Sequence, residues 1–160
     1  MQTFYRKTQV GWLMIFIFAP LILFFLALLY YQEVLGIPFL GEPAPSWLYP
    51  VLIPVFAFVL ALFWSLSVTG YTDHVEIRFG IGLIRKRFYY KDIQSCSAQK
   101  TPIYYGWGIR AIPGGWLFNV SGTWSVQLDM KNRKIYRIGT PEPQKLEQFI
   151  KSRLSLFGGA

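Results

Sequence analysis

The sequence predicts a membrane-anchored protein: a two-helix transmembrane hairpin followed by a β-barrel or β-sandwich of about seven antiparallel strands, capped by a C-terminal α-helix. Three observations carry this. Residues 10–31 and 47–68 are two runs without a single charge. From His74 onward, apolar and polar residues alternate in short segments punctuated by glycine. Near the C-terminus, Leu146, Phe149, Ile150 and Leu154 recur at helical spacing. The expected organisation is a tail at 1–9, spans at 10–31 and 47–68 joined by a loop at 32–46, and a β-rich domain at 72–157.

Each uncharged run is long enough to cross a hydrocarbon core of roughly 30 Å at about 1.5 Å per residue. A signal peptide followed by a core helix fits less well, because the first run exceeds a usual signal segment and no small-x-small cleavage pattern precedes Gln32. Trp12, Tyr30, Tyr31, Trp47, Tyr49 and Trp64 fall near the proposed interfaces, where an amphipathic ring is at home. Pro20 and Pro54 each remove a backbone donor and predict local bends.

Charge sets the expected orientation. Arg6 and Lys7 precede the first run, and the connecting "QEVLGIPFLGEPAPS" carries only Glu33 and Glu42. Everything after Thr69 carries fourteen Lys or Arg against six Asp or Glu. Basic flanks stay in the cytoplasm, so both termini are expected inside and the acidic loop outside. The positive domain either serves that orientation alone or is also drawn to anionic headgroups or an acidic partner.

Several function classes lose support. One cysteine, Cys96, excludes an intramolecular disulfide, and one histidine, His74, has no companion ligands at metal spacing. There is no G-x-S-x-G, Walker loop, H-E-x-x-H or G-x-G-x-x-G. No catalytic residue, cofactor or metal is expected, and no nucleic-acid motif accompanies the basic charge. Membrane lipids and a membrane-protein partner are the partners to expect.

In "HVEIRFG", Val75, Ile77 and Phe79 share one face and Glu76 and Arg78 the other. "LIRKRFYY" follows a glycine-bounded turn, so the two form an antiparallel hairpin. Setting Phe79 opposite Ile84 places Ile77 against Lys86 and Val75 against Phe88 inside, and Arg78 against Arg85 and Glu76 against Arg87 outside. Further strands read at 93–99, 107–112, 116–121, 125–130 and 134–139. "GWGIRAIPGGWLFNVSG" becomes strand, tight turn and strand, with Trp116, Phe118 and Val120 on one face and Leu117 and Asn119 on the other. The closing helix has Thr140 as N-cap and Pro141 as first residue, with Pro143 leaving its start open by a turn.

Seven strands and a closing helix resemble a pleckstrin-homology (PH) domain. Through "VEIRFGIGLIRKRFYYKDI", "GWGIR", "GGWLFNVSG" and "IYRIGTPEP…LEQFI" the chain resembles small bacterial membrane proteins with two spans and a PH-like cytoplasmic domain, mostly of unknown function. The resemblance implies residence in the bacterial cytoplasmic membrane and a binding or assembly module, not an enzyme. It also implies an anion or headgroup patch on the first hairpin, where Arg78, Arg85, Lys86 and Arg87 match the basic pattern. Tyr104, Tyr105, Trp107 and Arg110 form an aromatic loop suited to the membrane interface or a neighbouring chain. The alternative expectation is an accessory or assembly subunit that contacts a larger membrane complex mainly through its helices.

Overall fold

The structure is a computed structural model that describes residues 4–38 and 41–157; the first residues of the expected tail and two of the expected loop lie outside the described residues. The expected tail is in fact a strand. Tyr5–Val10 (β1) pairs antiparallel with Ser65–Gly70 (β2), Arg6 opposite Thr69 and Thr8 opposite Ser67. Two apolar helices, Trp12–Glu33 (α1) and Leu48–Phe63 (α2), lie between these strands. They therefore interrupt the β domain instead of preceding it.

The helix α1 is long and apolar enough to cross a membrane, with 22 residues, a mean hydropathy of 2.8 and none of that stretch buried. By contrast α2 has 16 residues, about 24 Å at 1.5 Å per residue. The second span expected at 47–68 is thus replaced by a helix shorter than a clear crossing, and the reason is local. In "SLSVTG" hydroxyl residues alternate with Leu66 and Val68, which are fully buried in the core, a period of two that a helix cannot use. The helices pack against each other through Phe18, Phe25 and Phe56, with ring centroids 6.1 Å (Phe18–Phe56) and 5.6 Å (Phe25–Phe56) apart. At the domain end the Gly11 N–H donates to the Trp64 carbonyl (2.7 Å), so the strand pair runs straight into the helix pair. At the other end the Gln32 amide exchanges two hydrogen bonds with the Ala44 backbone (2.8 and 2.9 Å).

The first sheet continues with His74–Phe79 (β3) and Arg85–Tyr89 (β4), in the order β1-β2-β3-β4. The second comprises Ile93–Lys100 (β5), Gly108–Ile112 (β6), Gly115–Asn119 (β7), Trp124–Met130 (β8) and Ile135–Gly139 (β9), in the order β5-β8-β9-β7-β6. All seven expected strands are present, and β1 and β2 raise the described total to nine. One pairing departs from the antiparallel expectation. The β8–β9 hairpin lays β9 between β8 and β7, so β9 runs parallel to β7.

The final helix is Pro143–Phe157 (α3), which buries Leu146 and Ile150 against the core. It starts two residues later than Thr140 and Pro141 suggest. Glu142 precedes a proline, which disfavours helical geometry there, while Pro143 suits a first helical position. The Thr140 hydroxyl still serves the start, accepting from the Glu142 N–H (3.2 Å). Inside the sandwich, Phe79, Phe88, Phe118, Val126, Leu128 and Ile138 form one cluster with residues of α3.

Candidate functional site

The hairpin register is the one the alternation dictates: Arg78 faces Arg85, Glu76 faces Arg87 and Ile77 faces Lys86. On the outer face of the first sheet this sets Arg78 and Arg85 side by side, with Ser67 and Thr8 continuing the row. The next row is Arg6, Thr69, Glu76 and Arg87. Arg87 Nε donates to Glu76 Oε2 (2.7 Å), and this bond raises the guanidinium's pKa and holds it charged. Among the described residues, Arg6, Arg78 and Arg85 have no carboxylate within ion-pair distance. Arg85 spends its Nε on the Gly82 carbonyl of its own turn (2.5 Å). Arg6, Arg78, Glu76, Thr69 and Tyr71 line a polar recess of about 210 Å³. Small hydroxyl residues between the arginines leave room for an anion to meet more than one guanidinium, each of which offers a planar fork of donors.

Lys86 does not join this face. It points inward, its ammonium 4.1 Å from the Tyr136 ring centroid and within 5.5–5.7 Å of Phe118 and Phe88. Those three rings offer their negative faces to the charge. Its inward register, legible in the sequence, thus takes it out of the expected patch. Arg6 belongs there instead and was missed. The signal for it was weak, because "YRKTQV" alternates polar residues with polar residues and shows no apolar stripe.

The aromatic loop forms a 3-10 turn at Ile103–Tyr105 that leads into β6. Tyr104 is 82% exposed. Tyr105 meets it edge-on at 4.8 Å and lies 5.6 Å from the Arg137 guanidinium. The Trp107 indole donates to the Gly122 carbonyl (3.2 Å), and Arg110 Nε donates to the Trp107 carbonyl (3.1 Å), bracing the loop from behind. These four residues come together, but on the second sheet, apart from the arginine face. Trp116 is 46% exposed, while Phe118 and Val120 on its own face and Leu117 and Asn119 on the other are buried.

The remaining chemistry is quiet. The Cys96 thiol is buried and its pKa pushed up to about 11, chiefly by that burial, so it is not a thiolate at neutral pH. His74 Nδ1 lies 2.7 Å from Asp73 Oδ1, between the rings of Tyr71 and Tyr89. Among the described residues, no group of three His, Cys, Asp or Glu is placed to hold a metal ion.

Against known proteins, the chain matches no protein-family model and no curated protein.

Proposed function

We propose that the chain is a non-enzymatic, membrane-anchored interaction module of PH-like plan, whose arginine face engages an anionic group at the membrane surface. The anion is an acidic segment of a protein partner or an anionic lipid headgroup. The observation that carries the reading is that Arg6, Arg78 and Arg85 share one exposed face on which the neighbouring carboxylate, Glu76, is taken by Arg87. Like charges directly opposite one another in a sheet are destabilising. Their juxtaposition is relieved when an anion is bound.

The strand pairing supports the anchor. Because β1 precedes α1, β2 follows α2 and the two strands pair, a crossing by α1 requires a return by α2. At 16 residues, α2 is shorter than the usual 20 or so, a mismatch a bilayer accommodates by local thinning. The basic flanks then put both termini and the β domain on the cytoplasmic side, in the cytoplasmic membrane that the bacterial resemblance implies. The four-stranded meander, second sheet and closing helix support the PH-like plan.

Height above the membrane favours the Arg78–Arg85 pair for headgroups. Arg78 lies opposite Ser67, two residues from the start of β2 and thus about 7 Å from the helix end at 3.3 Å per residue. Arg6 and Arg87 stand about 7 Å further out, at the height of a partner protein. A second reading, an accessory subunit held through its helices, is favoured by the exposed outward faces of α1 and α2, which carry Phe16, Leu23 and Phe58. Extraction of the tagged full chain in mild detergent, with native mass measurement, tests both. Wild type is expected to retain an acidic protein or anionic phospholipid that the Arg6/Arg78/Arg85→Gln variant loses. An unchanged set of companions in the variant would transfer the role to the helices.

A further inference from the structure

The β domain is not held away from the helices on a linker. Gly11 bonds to Trp64, and the turn between β3 and β4 climbs the side of α2. There the Gly80 N–H donates to the Ser65 carbonyl (2.8 Å) and the Ile81 N–H to the Ala61 carbonyl (3.1 Å). Gly80 has φ +41°, and a Cβ on it would fall inside the carbonyl oxygens of Ala61 and Leu62, so only glycine allows this approach. Ile81 is thereby fixed level with the last turn of α2. It is 57% exposed and its neighbour Leu83 66% exposed.

The second sheet brings its own apolar tip to the same end. Lys100 pairs with Trp124, which lines a recess with Val10 and Trp12, and Gly108 pairs with Asn119 and lies beside Met14 and Phe18, so these strand ends adjoin the helices. The 3-10 turn between them presents Ile103 and Tyr104 to solvent. Trp107, Ile109 and Arg110 share a recess of about 340 Å³ with Met14 and Phe18 of α1 and Val59 and Phe63 of α2. That end of β6 therefore lies beside the first two turns of α1, beyond the level of Trp12.

We propose that the helix-proximal end of the β domain is itself a membrane-contacting surface, with Ile81, Leu83, Ile103 and Tyr104 seated in the interface of the leaflet that α1 and α2 enter. The occupant is lipid, because the rim adjoins the exposed apolar helices through the Ile81–Ala61 bond and the recess that Trp107 and Ile109 share with Met14 and Phe18, and exposed Trp12 and Trp64 mark the interfacial level. Arg85 and Arg110 flank the rim, and such residues reach headgroups while their stems cover apolar surface. Seated this way, the domain has one fixed orientation, and the arginine face stands upright beside the membrane. This inference rests on the anchor reading, so its test must separate the two.

The full chain with Cys96→Ala would carry one added cysteine at Leu23, Ile81, Tyr104 or Asn132, each labelled with an environment-sensitive fluorophore. Labelled protein is reconstituted in phosphatidylcholine vesicles containing a nitroxide lipid, where no net lipid charge recruits arginine. Labels at 81 and 104 are expected to be quenched by the nitroxide lipid and several-fold less accessible to aqueous iodide than the label at 132. If label 23 is in lipid while 81 and 104 answer to iodide like 132, the domain stands clear of the leaflet and the inference fails, with the anchor intact. If label 23 is itself in water, the anchor reading falls and the rim with it.

Discussion

The outer faces of the two sheets treat their charges in opposite ways. On the second sheet, Asp129 accepts from the Ser95 hydroxyl (2.7 Å) and the Gln127 amide (2.7 Å), and Arg137 donates to Gln127 Oε1 (3.1 Å) while lying over Tyr105. Gln99 closes the same network through Gln127. On the outer face of the first sheet the one ion pair among the described residues, Glu76 with Arg87, leaves Arg6, Arg78 and Arg85 unmatched. A network satisfied internally rigidifies a sheet. An unmatched one is stabilised by something brought from outside, and this contrast locates function on the first sheet.

The largest effect is expected from removing the contrast. Converting Arg6, Arg78 and Arg85 to Gln forfeits about 1 kcal/mol per arginine near an anionic surface, on the order of a hundredfold in affinity for phosphatidylglycerol-containing nanodiscs or an acidic partner. Because all three side chains are exposed, the fold and the helix anchor are expected to survive. Sharpening the contrast runs the other way. Glu76→Gln frees Arg87 and is expected to tighten the same binding by about fivefold, from roughly 1 kcal/mol for one more available guanidinium. Arg137→Gln, on the other face, is expected to leave binding unchanged and to cost about 1 kcal/mol of stability, read as a fall of a few degrees in the thermal midpoint in detergent.

Acid gives the smallest expected effect near neutrality. The hydrogen bond from Lys7 (2.7 Å) lowers the pKa of Glu142, with Lys145 adding to it, and so ties β1 to the start of α3. Asp73 is lowered by His74 and Glu147 by Lys151. A carboxylate whose folded pKa is depressed contributes stability that is complete above its unfolded value and is lost as pH falls through the folded one. Thermal midpoints are thus expected to stay level from pH 8 to 6 as far as these groups go, and to fall below about pH 4, the ordinary carboxylate range. Glu142→Gln is expected to flatten part of that decline.

Much of the arginine face is legible in the sequence. Alternation in "HVEIRF" and "RKRFY", joined by a glycine turn, fixes which residues oppose which, and Arg78 against Arg85 follows. What escaped was the part completed by chain distant in sequence. The strand β1 lacks an apolar stripe because its inward residues, Tyr5, Lys7 and Gln9, meet partners far along the chain: Lys7 donates to Glu142, Gln9 Nε2 donates to the Ser121 carbonyl and Tyr5 stacks on Phe149. The strand β2 was hidden inside an uncharged run, where its alternating hydroxyls were the available sign. In β7 both faces are buried, Phe118 on one and Leu117 and Asn119 on the other, and no local pattern discloses that.

The most direct measurement is parallel mild-detergent extraction of wild type, the Arg6/Arg78/Arg85→Gln variant and the Arg137→Gln variant, followed by native mass spectrometry of each. An anionic companion, protein or phospholipid, retained by wild type and Arg137→Gln and lost from the triple variant is the expected result. Equal retention by all three, or loss from Arg137→Gln alone, would contradict a functional arginine face on the first sheet.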